Sequence, residues 1–313
     1  MKIGKMILKG LMILILIIAI ILTITSIYNQ MMIHQESALL NKPLGQMVEV
    51  DGHRMCIYTK GKGKKTLVFL SGSATASPIL DFKGLYSRFH DDYRIVVIEK
   101  FGYGFSDIVD TERSFDTILR QDREALRKVG INGPLILCPH SMSGLEAILW
   151  AQKYPQEVKA IVGLDMCLPD SYDHFDFNQT ERMMRLGKLG RQLGLVRLFY
   201  QDSTLPSSLT KKEKAIYRAI ASKNAVNTCI INEVHAIRSV IKEIKQSHKI
   251  DIPMLLCVSN GKEIAVKNWI QLQEDYASHL SHAKLIKLDC GHYVHNHKPN
   301  VISKEMKLFI NNL

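Results

Sequence analysis

Charge is the first thing missing. From Gly10 to Gln35 the chain holds no Asp, Glu, Lys or Arg. Gly10 to Tyr28 is almost wholly apolar, and as a helix it spans roughly 28 Å, enough for a bilayer core. A buried core helix normally keeps a polar face, and this stretch has none. A cleaved signal peptide usually has an apolar region of about 7–15 residues and an A-x-A-like site, and neither fits here. The expected element is an uncleaved signal anchor over residues 1–29. The alternative is secretion after cleavage, with a mature N-terminus near residue 27. Lys2, Lys5 and Lys9 precede the span, which places the N-terminus in the cytoplasm and the rest outside.

Other absences narrow the chemistry. No C-x-x-C occurs among the six cysteines, Cys56, Cys138, Cys167, Cys229, Cys257 and Cys290, so neither a metal site nor a redox pair is expected. An even count in an exported chain permits disulfides, yet Cys138 and Cys257 sit in apolar runs where free cysteine acts as a small hydrophobe. No arginine-rich block interleaves with aromatics, so no nucleic-acid partner is expected. No repeat or low-complexity tract appears beyond the N-terminus. The formal net charge is +11, and three of those charges precede the apolar span, so the exported part carries +8. Such a domain is drawn to anionic surfaces, although solubility alone also accounts for the charge.

What is present alternates. After a connector over residues 30–46, "MVEVDGHRMCIYTKG" reads as a hairpin turning at Asp51-Gly52. Four apolar strands follow in "KTLVFLSG", "YRIVVIEK", "PLILC" and "VKAIVGLD". Helical patterns separate them, including "SFDTILRQDREALRKVG", with Ser114 as N-cap and Gly130 as stop. Residues 168–247 then hold helical stretches and no strand. Strands resume in "IPMLLCVS" and "AKLIKLD", with helices in "AVKNWIQLQEDYASHL" and "VISKEMKLFINNL". The pattern predicts an α/β fold, with a mostly parallel central sheet and helices on both faces. The core covers 47–167 and 248–313. A helical cap over 168–247 is inserted before the penultimate strand, above the strand ends where ligands bind.

The chemistry concentrates in "CPHSMSGLEA" and "LDCGHYVHNHKP". Ser141 stands between a buried strand and a helix, flanked by small residues. A nucleophile elbow, usually G-x-S-x-G, needs that setting because the turn is strained. Both outer glycines are replaced, by Pro139 and Ser143. The competing role for Ser141 is a helix N-cap. A serine nucleophile needs a base, and His292 follows a later strand of the same sheet, so its loop emerges at the same edge. The adjacent His295 and His297 read as polar surface without metal-ligand spacing.

These stretches together resemble the α/β-hydrolase superfamily, in its lid-bearing lipase-, esterase- and peptidase-like branch. "LSGS" resembles that family's His-Gly-x turn, "FGYGFSD" its Gly-x-Gly-x-Ser loop, "PHSMSG" its elbow and "CGHYVHNHKP" its histidine loop. The resemblance implies that Ser141 is the nucleophile and His292 the general base. The backbone N–H groups of Met142 and Ser73 would form the oxyanion hole. Two carboxylates compete for the acid. Glu263 is preferred because it lies in the loop that usually supplies it, and Asp165, ending "AIVGLD", is the alternative. Expected is a membrane-anchored serine hydrolase cleaving esters or amides of a small or acyl substrate, with no cofactor. The alternative is a non-catalytic member of the fold that binds at the cell surface. Arg182, Arg185, Lys188 and Arg191 read as a solvated basic helix face.

Overall fold

The computed structural model describes residues 2–90 and 92–313. The apolar N-terminal stretch forms one continuous helix, α1 (Lys2–Glu36). Its residues Ile3 to Ile24 present large apolar side chains to the outside along almost their whole length. One window in it is long and apolar enough to cross a membrane. The helix does not stop at residue 29, where the connector is expected. It runs on through Glu36 because Asn29 and Glu36 are both held by Arg197, at 2.9 Å each.

The rest is an eight-stranded sheet. Its first two strands, β1 (Gln46–Val50) and β2 (His53–Lys60), form the expected antiparallel hairpin. Asp51 and Gly52 both have positive φ, 51° and 75°, the pairing that a type I′ turn requires. Then follow β3 (Lys65–Leu70), the short helices α2 (Pro78–Asp81) and α3 (Lys83–Tyr86), β4 (Tyr93–Glu99) and α4 (Phe115–Lys128). Ser114 caps α4 by accepting from Thr117 N at 3.3 Å, and Gly130 ends it at φ 73°. Next come β5 (Leu135–Pro139), α5 (Ser143–Lys153) and β6 (Val158–Leu164).

Between β6 and β7 (Met254–Val258) the described residues contain no strand, but three long helices: α6 (Phe177–Gln192), α7 (Lys211–Asn224) and α8 (Thr228–Gln246). The chain closes with α9 (Trp269–Ser278), β8 (Ala283–Lys287), α10 (Val294–His297) and α11 (Pro299–Asn311). Helix α9 starts four residues later than its apolar pattern suggests, because Asn268 takes a left-handed conformation, φ 57°, that breaks the run.

The strand order is β1-β2-β4-β3-β5-β6-β7-β8. Strand β2 pairs antiparallel with β1 and β4, and all pairs from β4 to β8 are parallel. The inner parallel strands are largely apolar on both faces, as a covered sheet demands, whereas the edge strand β8 carries Lys284 and Lys287 and buries none of its residues. Val68 and Leu70 of β3 join one core with side chains of α4, α5 and α8, while Leu67 and Phe69 join a second with α3 and α11. The C-terminal ends of β3, β5, β6, β7 and β8 therefore share one edge, and every candidate site residue follows one of them.

Candidate active site

The elbow is built by strain and by a hydroxyl. Ser141 has φ 54°, a left-handed conformation unusual for a residue with a side chain. Helix α5 begins at Ser143, with Met142 at its N-cap and no side-chain cap, so Ser141 does not serve as one. Its Oγ faces Cys167 Sγ at 3.9 Å. Ser143 is fully buried. Its Oγ donates to Leu70 O (2.7 Å) or His140 O (2.9 Å) and accepts from His140 N (3.0 Å). Gly72 lies against the elbow, where an added Cβ would come within 2.7 Å of Ser141 Cβ. Glycine is needed there for close approach rather than for its dihedral freedom.

His292 lies in the loop after β8. Its Nδ1–H donates to Asp165 Oδ2 at 2.7 Å, since a carboxylate can only accept. Asp165 ends β6 in a left-handed conformation, φ 50°, and is buried. Its other oxygen accepts from Ser259 N (2.7 Å) and from Trp269 Nε1 (2.8 Å). The carboxylate is thus held from two sides and aimed at the imidazole.

Glu263, the preferred acid in the sequence, does not meet that ring. It accepts instead from the backbone N–H of His292 at 2.8 Å. Gly291 makes room for it, because a Cβ there would lie 2.3 Å from the Glu263 carboxylate. Asp165 contacts the imidazole, and Glu263 braces the loop that carries it.

Ser141, His292, Met142, Ser73 and Glu263 line one cavity of about 270 Å³. Met184 of α6 and Val234 and Ile237 of α8 close it from above, giving a largely apolar chamber. Among the described residues, neither Met142 N–H nor Ser73 N–H has a hydrogen-bond acceptor. Two free donors beside a strained serine suit a developing oxyanion. No hydrogen bond joins Ser141 Oγ to the His292 ring among the described residues. Such contacts are commonly loose in empty sites and tighten on substrate.

Three neighbours escaped the sequence reading. His140 is buried, and its ring lies 4.6 Å from that of His292. Burial first, then the charges of His295 and His292, pushes its pKa well below the ordinary value. Cys167 touches the serine, but burial pushes its thiol up to about 11, so it is not a competing thiolate. His295 is not polar surface: it is fully buried, with Nε2 2.7 Å from Asp81 Oδ2. The exposed-looking "HNH" run gave no sign of that, because Asp81 lies 214 residues away.

All six cysteines are unpaired, and no cluster among the described residues could hold a metal ion. A family model described as alpha/beta hydrolase fold matches residues 65–219. This chain belongs to the α/β-hydrolase superfamily. It is 37% identical over 290 residues to the uncharacterized protein YbdG of Bacillus subtilis, covering 89% of each chain. Its fold is similar to that of an epoxide hydrolase from Bacillus megaterium, with TM-score 0.67 and 16% identity, over 85% of this chain and all of the other. A haloalkane dehalogenase variant from Bradyrhizobium elkanii is similar too, with TM-score 0.64 and 18% identity, over 85% of this chain and 96% of the other. The family model and these structural neighbours agree on the α/β-hydrolase fold.

Proposed function

We propose that this chain is a hydrolase, a membrane-anchored serine enzyme acting on carboxylic esters or amides. One observation carries the reading: a serine at φ 54° shares a cavity with a histidine whose Nδ1–H is bonded to a buried aspartate. The Asp165 contact leaves Nε2 of His292 as the free, basic nitrogen. Ser141 Oγ attacks the carbonyl carbon while Nε2 takes its proton. The carbonyl oxygen becomes an oxyanion between Met142 N–H and Ser73 N–H. The imidazolium, stabilised by Asp165, returns the proton to the leaving alcohol or amine, whose bond to carbon breaks. Water, deprotonated by the same nitrogen, then releases the acid and frees Ser141. No step requires a cofactor.

Residues 168–247 act in this reading as a cap whose α6 and α8 enclose the acyl group. The apolar lining favours an acyl chain over a charged substrate. Helix α1 serves as an uncleaved anchor, its lysines in the cytoplasm and the catalytic domain outside. A fluorophosphonate probe on the full chain tests the chemistry. Labelling that is lost in Ser141→Ala and in His292→Ala is expected. An unlabelled parent chain would favour the surface-binding role instead.

A further inference from the structure

The end of α1 is clamped by the cap. Asn29, only 1% exposed, donates to Arg191 O at 3.1 Å and accepts from Arg197 Nε at 2.9 Å. Arg197 also forms a two-pronged pair with Glu36, at 2.9 Å through each nitrogen. Gly194 fits against this point in a left-handed turn, φ 81°, where a Cβ would lie 2.8 Å from Asn29 Cβ. The clamp grips α1 from Asn29, next to Tyr28 where the apolar stretch ends, to Glu36 about two turns further on. The α6 end and the turn after it are therefore fixed at the depth where a membrane span leaves the bilayer.

The outer face of this region is apolar. Helix α6 buries none of its residues fully. Met183, Leu186 and Leu189 are 62%, 61% and 50% exposed, and beyond the clamp Leu198 and Phe199 are 68% and 71% exposed. Arg182 and Arg185 stand exposed among them, Arg185 also paired with Glu181 at 2.7 Å. Large apolar side chains rimmed by arginine suit the boundary between headgroups and acyl chains. Phe199 also lines a cavity of about 440 Å³ whose other walls include Ala74 and Tyr293, the chain neighbours of Ser73 and His292. Met184 of the same helix α6 lines the site cavity itself.

We infer that the α6 face and the Leu198–Phe199 turn dock onto the surface of an anionic lipid bilayer, beside the point where α1 leaves it. The inference rests on reading α1 as a membrane span. It assigns the cap a second role, holding a helix that lines the site against the lipid.

Full-length chain in vesicles containing brominated phosphatidylcholine and phosphatidylglycerol tests it. Trp150 and Trp269 are both buried and supply a constant background. Single variants Leu186→Trp, Phe199→Trp, Ile13→Trp in α1 and Val301→Trp on α11 report depth, with circular dichroism confirming the fold of each. Leu186→Trp and Phe199→Trp should be quenched at least about threefold more than Val301→Trp. Raising the phosphatidylglycerol fraction should deepen the quenching of Leu186→Trp, and adding R182E with R185E should remove that dependence. If Ile13→Trp is quenched while the two cap positions match Val301→Trp, docking is overturned and the anchor stands. If Ile13→Trp and the cap positions all stay unquenched, both fall. A blue shift at Leu186→Trp without quenching means that a second protein copy covers the face, which also overturns the inference.

Discussion

Replacing Asp165 by Asn isolates the role of the carboxylate with little disturbance of the fold. Asn tolerates the left-handed φ of 50° at this site. Oδ1 of Asp165 receives two N–H donors, from Ser259 and Trp269, so the amide oxygen must occupy that position. The NH₂ group is then forced to the place of Oδ2, 2.7 Å from His292 Nδ1. A donor there requires Nδ1 to accept, which moves the ring proton to Nε2. The imidazole can then no longer take the proton of Ser141. Triads of this geometry lose about 10⁴ in kcat on such a change, about 5 kcal/mol of transition-state stabilisation. KM should move little, since the ring is not the binding surface. Glu263→Gln keeps an oxygen for the His292 backbone N–H and should stay within about tenfold of the parent. The assay is steady-state hydrolysis of p-nitrophenyl esters of graded chain length, with thermal unfolding as a check on folding. A D165N enzyme within tenfold of the parent, beside a crippled E263Q enzyme, would refute the tautomer reasoning and return the acid to Glu263.

Gly72→Ala should cut the fluorophosphonate labelling rate by about 100-fold, because its Cβ displaces Ser141, and a rate within twofold of the parent would remove the close-approach account. Burial pushes the Glu99 carboxyl from its ordinary 4.5 up to about 7. In that window the unfolded chain binds fewer protons than the folded one, so this group lowers stability as pH rises, by at most about 3 kcal/mol. Unfolding midpoints of Glu99→Gln and the parent should therefore diverge in favour of the variant from pH 5 to pH 8, and parallel curves would count against the buried-acid explanation. Protease added to intact cells should digest the domain that follows α1, whereas full protection would place that domain in the cytoplasm.

The alternation of apolar runs and helical patterns was enough to read the fold class. A parallel sheet covered on both faces must be apolar throughout, and β3 to β7 are. That Ser141 and His292 share one edge of the sheet was legible for the same reason, since each follows such a strand closely. Which carboxylate meets the imidazole was not legible. That depends on how the loop after β7 bends, which is decided by contacts distant in sequence. Ser259 N and the Trp269 ring both turn toward Asp165, which leaves Glu263 facing the backbone of His292. His140 and His295 were missed because burial comes from the packing of other elements, and histidine carries no periodicity to announce it. The extension of α1 to Glu36 was missed likewise, because its partner Arg197 lies 161 residues away.

The loss of both outer glycines from the elbow has a local physical answer. A glycine before the serine normally supplies dihedral freedom at the strand end. Pro139 still pairs in register with Leu70, and His140 resumes the ladder by donating to Leu70 O at 2.9 Å. The missing proline N–H is therefore bypassed rather than left unpaired in the interior, where it would be costly. After the serine, a glycine would leave room at the start of α5. Ser143 fills that room with a hydroxyl that joins the strand end, the turn and the helix. Flexibility at both positions has been exchanged for bracing. The strain then falls on Ser141 alone, with its φ of 54°, and its surroundings hold it there. Strain of this kind costs about 1–3 kcal/mol and persists only where neighbouring contacts over-determine it. A helix cap needs no such conformation, whereas a nucleophile that must stand clear of its backbone does.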